Sequence, residues 1–255
     1  SPELITTFYG AWLAGAVVVP LNPLAKQGEL GYQLGDAGTR VLIASSGSAA
    51  ASSVAGQMGI QRVLTSEGGG STHFGELLSQ DGRLLVEASI DPDEDVAVIL
   101  YTGGTTGAPK GAMLTHRNIV ANTIQFAEWY AFEPGGERCI AVLPMFHSGG
   151  MSGAMNVPLY SGATLLVMSR FHPVSVGRTV ERYRATRLFG VPTMFIALMN
   201  NEESRRADYS SLRSCRTNAA PLPPSVKAAF DEVAGHEVLV EGYGLTETSP
   251  LTHAN

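Results

Sequence analysis

The strongest constraint on this chain is a repeated pairing of short, β-rich runs, several of them continuously apolar, with segments of helical periodicity. Val96-Ala97-Val98-Ile99-Leu100-Tyr101 is the clearest run. Others lie at Val17–Val19, Val41–Ala44, Arg62–Thr65, Ile140–Leu143, Thr164–Met168, Arg187–Phe189 and Glu237–Glu241. Helical spacing fills the intervals at Glu29–Ala37, His116–Tyr130, Val174–Arg184, Pro192–Asn200 and Pro224–Ala234. A strand with one wet face alternates polar and apolar residues, whereas a continuously apolar one must be covered on both sides. The pattern predicts an α/β fold of layered, mainly parallel sheets flanked by helices. Composition permits it: 44% of the 255 residues are hydrophobic and only 16% are charged, which suits a packed core rather than disorder.

Ser1-Pro2-Glu3 reads as a helix start, and Leu4, Ile5, Phe8 and Trp12 give that helix one apolar face. Ser45–Ser53, rich in Ser and Ala, and Glu67–Thr72, rich in Gly, read as loops. The acidic stretch Asp91–Asp95 reads as a linker, dividing a sub-domain over 1–95 from a second over 96–255.

Several function classes are disfavoured. A net charge of −6 does not suit a nucleic-acid partner, which is held by clustered Lys and Arg. No run approaches the roughly 18 apolar residues that span a bilayer, and the start lacks the basic region of a secretory signal. Cys139 and Cys215, each in an apolar run, read as reduced, buried thiols of a cytoplasmic protein.

The most informative segment follows the Val96–Tyr101 run: Thr102-Gly103-Gly104-Thr105-Thr106-Gly107-Ala108-Pro109-Lys110-Gly111. Glycines allow close backbone approach, so successive N–H groups can converge on phosphate oxygens. Thr102, Thr105 and Thr106 add hydroxyl donors and Lys110 a mobile positive charge. The set suits a polyphosphate. It is not a Walker A loop, because Pro109 precedes the lysine and Gly111 follows it. His116, behind Thr115 as N-cap, reads as the first turn of a helix rather than as a functional residue.

Tyr101–Gly111 resembles the phosphate-loop signature of the adenylate-forming superfamily, which includes acyl-CoA synthetases. Glu241-Gly242-Tyr243-Gly244-Leu245-Thr246-Glu247-Thr248 resembles its Tyr-Gly-x-Thr-Glu element. Leu143-Pro144-Met145-Phe146-His147 and Asn218-Ala219-Ala220-Pro221-Leu222 resemble two further segments, and all four occur in the family's order. The resemblance is closest to fatty acyl-CoA synthetases, as an incomplete large N-terminal domain. It covers essentially the whole chain.

The resemblance implies activation of a carboxylic acid by ATP, with Mg²⁺, to an acyl-adenylate, followed by thioester formation with CoA. Thr102, Gly103, Gly104, Thr105, Thr106, Gly107 and Lys110 are then the phosphate-binding residues. Thr246 donates to the α-phosphate and Glu247 holds Mg²⁺; with Lys110 they form the catalytic set. Asn218, Ala219, Ala220, Glu241, Gly242 and Tyr243 are implied to bind adenine, and His147, Val191 and Gly244 to border the acid. Structural alternatives stay open for three of these: Tyr243 as a core aromatic, Glu247 as a helix-start acid, His147 as a buried, satisfied histidine. Small and apolar residues around the motifs, such as Gly149, Gly190 and Met194, suit a fatty or aryl acid. The family continues to a ribose-binding Asp, a hinge and a C-terminal domain bearing a lysine, none of which this sequence contains. The expectation is a chain that binds ATP but does not form acyl-AMP by itself. An adenylation domain loading a carrier protein and a non-catalytic nucleotide-binding remnant remain alternatives.

Overall fold

The computed structural model describes the chain except residues 46–47, 65–71, 79–87 and 104–106. Its contacts divide it into two compact units, 2–116 and 117–255. The division falls after the two strands that follow the acidic stretch, so Val96–Thr102 and Lys110–Thr115 both lie in the first unit.

In the first unit, β1 (Val41–Ala44), β2 (Gln61–Leu64) and β3 (Thr72–His73) form a parallel sheet in that order. Helices Gln27–Asp36 and Ala49–Met58 pack beside it. Leu30, Leu34, Leu42, Val54, Ala55 and Ile60 make their shared core. The Ser/Ala-rich stretch expected to be loop is therefore helical from Ala49. Alanine has the highest helix propensity, and burial of Ala51, Val54 and Ala55 gives the segment an apolar face. The Gly-rich stretch expected to be a loop lies outside the described residues over 67–71.

β4 (Val96–Thr102) and β5 (Lys110–Thr115) form an antiparallel hairpin. The apolar pattern of the sequence marks β4 but not β5, and it marks Val17–Val19 as a strand. Only Val18 pairs there, in a single bridge to Val98. Its N–H donates to Ala97 O at 3.0 Å and its carbonyl accepts from Ile99 N at 2.9 Å. The Trp12 indole donates to the same Ala97 carbonyl at 2.8 Å, tying the helix Pro2–Leu13 to β4.

The second unit holds β6 (Arg138–Ala141), β7 (Thr164–Val167), β8 (Arg187–Gly190), β9 (Ser214–Thr217), β10 (Leu239–Gly244) and β11 (Leu251–Ala254). Their spatial order is β11-β10-β9-β8-β6-β7, with every pairing parallel except β10 to β11. Alternation along each strand feeds two cores. Ile140, Leu188, Cys215 and Leu239 meet helices Pro173–Tyr183, Pro192–Asn200 and Pro224–Ala234. Cys139 and Phe189 meet Phe126, Tyr130 and Val157 on the opposite face. Both cysteines are free and buried, as expected. The three helices of the first face each begin with Pro in the opening turn, where its fixed φ helps and its missing N–H costs nothing. Among the described residues, no helix is long and apolar enough to cross a membrane.

An ion pair inside the second unit joins the amino ends of β6 and β8. Arg187 Nη2 lies 2.6 Å from Glu137 Oε1, with both side chains almost wholly buried. Arg187 also donates to Tyr130 O and Ala131 O, each at 2.9 Å, and stacks over Phe132. Thr186 donates to the other Glu137 oxygen. Burial pushes the Glu137 carboxyl up, but hydrogen bonds from Arg187 and Thr186 and the guanidinium charge outweigh it and hold the pKa below its ordinary 4.5. A carboxylate with a lowered folded pKa stabilises fully well above pH 4.5, and that stability fades as pH falls through the folded value. Glu137→Ala should cost about 3–5 kcal/mol, because it strands a buried guanidinium, whereas the double change Glu137→Met with Arg187→Met should cost less than Glu137→Ala alone. Urea melts of the three proteins check this. Glu137→Gln should also flatten the acid limb of a melting-temperature profile as pH falls below the ordinary 4.5.

Candidate functional site

Parallel strands present their carboxyl ends along one edge, and ligands of such sheets sit where neighbouring strands send their connections to opposite faces. Here that divergence falls between β6 and β8. The chain leaving β6 runs into a helical segment, Ser148–Met151, Ser152–Asn156 and Val157–Tyr160, whose middle turn is π-helical. Val157 packs there in the Phe126 core. The chain leaving β8 enters Pro192–Asn200, whose Phe195 packs in the opposite core.

Two candidates lie on the connections that part here. His147 directly precedes the first helical turn, and Val191 directly precedes Pro192. The His147 ring is exposed, with its centroid 4.4 Å from that of Phe146. It is therefore not the buried, satisfied histidine of the structural alternative. Partial desolvation holds its pKa below the ordinary imidazole value, so it is neutral at pH 7.

One and two strands further on lie the ends of β9 and β10. Thr217 is the register partner of Glu241, so Asn218–Ala220 and Gly242–Gly244 continue side by side. The Glu241 carboxylate accepts the Leu222 N–H at 3.0 Å and braces the turn after β9. Ala219 has φ 71°, the left-handed region, within that turn. Backbone and side chain crowd at Gly242: a Cβ there would lie 2.4 Å from Asn218 Oδ1 and 3.2 Å from the Tyr130 hydroxyl. Asn218 Oδ1 is buried with no hydrogen-bond partner in the protein. Tyr243 is 57% exposed, which rules out a core aromatic.

Beyond β10 the chain makes a short 3-10 turn, Thr246–Thr248, with Glu247 exposed in its first turn. That position also fits a helix-start acid, so both readings of Glu247 remain compatible with its placement. Thr246 Oγ1 lies 3.2 Å from Ser148 Oγ, which joins this turn to the segment after β6. The return strand β11 is clasped by Asn122, whose amide donates to Leu251 O at 2.9 Å and accepts from Leu251 N at 3.2 Å. The sequence reading named neither Ser148 nor Asn122. Ser148 was within reach, being adjacent to His147. Asn122 was not, because its partner lies 129 residues away.

Among the phosphate candidates, Thr102, Gly103, Gly107 and Lys110 lie in the first unit, on the β4–β5 hairpin, and Gly104, Thr105 and Thr106 lie outside the described residues. The glycine-rich segment thus joins two antiparallel strands and does not open a helix. Thr102 and Lys110 are register partners at its neck, with Thr102 Oγ1 donating to Lys110 O at 3.5 Å. Lys110 is exposed.

The sequence profile of the AMP-binding enzyme family matches residues 1–255. The chain is 36% identical over 284 residues to a long-chain-fatty-acid–CoA ligase of Bacillus subtilis (strain 168), covering 100% of this chain and 50% of that protein. It is 31% identical over 261 residues to 4-coumarate–CoA ligase 1 of Narcissus pseudonarcissus, covering 98% of this chain and 47% of that protein. The crystal structure of ATP-bound MatB from Rhodopseudomonas palustris matches with a TM-score of 0.86 at 27% identity, over 100% of this chain and 50% of that one. The chain spans about half the length of the curated relatives it matches.

Two glycines of the β10 end differ in what a methyl group would meet. At Gly244 it would lie 2.1 Å from the backbone oxygen of Pro250, the acceptor of the Leu245 N–H. At Gly242 the nearest atom belongs to the Asn218 side chain, which can swing away. Gly244→Ala should therefore destabilise by about 1–3 kcal/mol or more through backbone displacement, and Gly242→Ala by less. Calorimetry that orders the two the other way contradicts this geometry.

Proposed function

The chain belongs to the AMP-binding enzyme family, and from that premise we propose that the protein containing it activates a carboxylic acid with ATP and passes the acyl group to CoA. A carboxylate oxygen attacks the α-phosphorus of ATP, the bond to the bridging oxygen breaks, and pyrophosphate leaves. The CoA sulfur then attacks the acyl carbon, AMP leaves, and the thiol proton passes to solvent. Such chemistry asks a protein mainly for positioning and for neutralisation of charge.

The observation that carries this reading is that Asn218–Ala220 follow β9 and Glu241–Gly244 close β10 on adjacent parallel strands, with Val191 directly after β8. Asn218, Ala219, Ala220, Glu241, Gly242 and Tyr243 take the adenine. The buried, unpartnered Asn218 Oδ1 is an acceptor that an exocyclic amine can satisfy. Exposed Tyr243 offers a ring face for stacking. Thr246 donates to the α-phosphate, and the neutral His147 ring, with Val191 and Gly244, borders the acid carboxylate. Thr102, Gly103, Gly107 and Lys110 hold the β- and γ-phosphates, with Gly104, Thr105 and Thr106 completing that set.

Mg²⁺, when bound, offsets phosphate charge, and Glu247 is the ligand this chain supplies. Among the described residues no group of three or more His, Cys, Asp or Glu could hold a metal alone.

We assign a fatty acid as the substrate, supported by the relative from Bacillus subtilis and by the uncharged residues Gly149, two positions after His147, and Val191, directly after β8. The test is thermal shift with Mg·ATP and with acyl-sulfamoyl-adenosines of graded alkyl length and with a coumaroyl counterpart. A ligand at a hundred times its Kd should add roughly 2.7 kcal/mol of stability. The largest shift is expected for a long alkyl chain; a coumaroyl maximum moves the assignment to aryl acids, and no shift with any ligand overturns the reading. Thr246→Ala should weaken Mg·ATP binding about tenfold, the worth of one charge-assisted hydrogen bond, measured by isothermal titration.

A further inference from the structure

Within the first unit, the neck of the glycine-rich hairpin is tethered on both sides to one helix. On the incoming side, the Tyr101 hydroxyl donates to Asp36 Oδ2 at 2.6 Å and lies 3.2 Å from Gln33 O. On the outgoing side, the Tyr32 hydroxyl donates to Pro109 O at 3.0 Å. Gln33, Asp36 and Tyr32 all belong to the helix Gln27–Asp36. The two rings meet edge to face, with centroids 6.2 Å apart. Burial, and then the Asp36 carboxylate, push the Tyr101 hydroxyl pKa up, so that hydroxyl stays protonated and keeps donating at neutral pH.

Core packing does not account for this arrangement. Tyr32 is 41% exposed and Asp36 is exposed, so neither is needed to fill space. What the tethers fix is the backbone on either side of Thr102 and Lys110. The Pro109 carbonyl belongs to the peptide that carries the Lys110 nitrogen. A bond to that oxygen therefore sets the plane from which the lysine side chain departs. The edge-to-face ring contact and two hydroxyl bonds limit hinging of the hairpin about its neck.

We propose that Tyr32 and Asp36 are positioning residues for polyphosphate binding, acting through Pro109 and Tyr101 to hold Lys110 and Thr102 in register. The inference rests on the reading of the hairpin as the β- and γ-phosphate binder. It makes a distinction that general stability does not: loosening the neck should penalise the part of the nucleotide beyond the α-phosphate and nothing else.

The test compares Mg·ATP with AMP as ligands of the full chain, in the wild type and in Tyr32→Phe and Asp36→Ala. Loss of one hydrogen bond predicts a Kd for Mg·ATP about 3- to 10-fold higher in either variant. The Kd for AMP should stay within about twofold of wild type, below the weakest of those hydrogen-bond losses. Steady-state work on the active enzyme should show the same change in KM for ATP with kcat unaltered. Equal weakening of ATP and AMP, or no weakening of ATP, overturns the proposal. A wild-type chain that binds AMP but not Mg·ATP overturns the phosphate-binding reading itself, and the proposal with it.

Discussion

The Glu137–Arg187 pair sets the frame on which the rest of the second unit depends. It sits before β6 and at the start of β8, the two strands between which the connections part to opposite faces. Arg187 reaches the carbonyls of Tyr130 and Ala131, at the end of the helix His116–Trp129, and so anchors that helix to the same point. A guanidinium with this many acceptors is fixed in direction as well as place, which a lysine ammonium could not match. Fixing the amino ends leaves the carboxyl ends free to carry loops of different shape.

That division of labour explains the residue types at each edge. The amino edge is closed by charge, aromatic stacking and buried hydrogen bonds, as in Arg187 over Phe132. The carboxyl edge carries Gly242, Gly244, Ala219 and Ala220, small residues that let strands β9 and β10 emerge with almost no side-chain bulk. Buried polar atoms there, Asn218 Oδ1 above all, lack partners within the protein. Unpartnered buried acceptors are rare in stable cores, so the Asn218 oxygen is one that a ligand donor could satisfy.

The first unit solves a different problem with a hairpin. Antiparallel pairing of β4 with β5 puts Thr102 and Lys110 opposite each other on neighbouring strands. The helix Gln27–Asp36 then holds both strands near the turn. A strand-to-helix loop places its donors at a helix end; this segment instead has strand backbone on both sides, and the tyrosine contacts lie at its neck.

Local chemistry was legible from the sequence. Apolar runs named most strands because burial on both faces demands them, and Pro-initiated helices such as Pro192–Asn200 and Pro224–Ala234 were read to the residue. The strand-end residues were legible because their spacing is a property of the chain alone. Three things were not. Ala49–Met58 looked like a loop until Leu30 and Leu42 gave its alanines something to pack on. β5 and β11 are short and mixed in polarity, and they exist only because β4 and β10 offer them hydrogen bonds. Asn122 with Leu251, Glu137 with Arg187 and Tyr32 with Pro109 join residues 50 to 129 positions apart. The sequence determined which groups could bind and where the chain turns, since those depend on neighbours along the backbone. The tertiary structure alone decided which polar groups are satisfied and which are left without a partner within the protein, since that depends on neighbours in space.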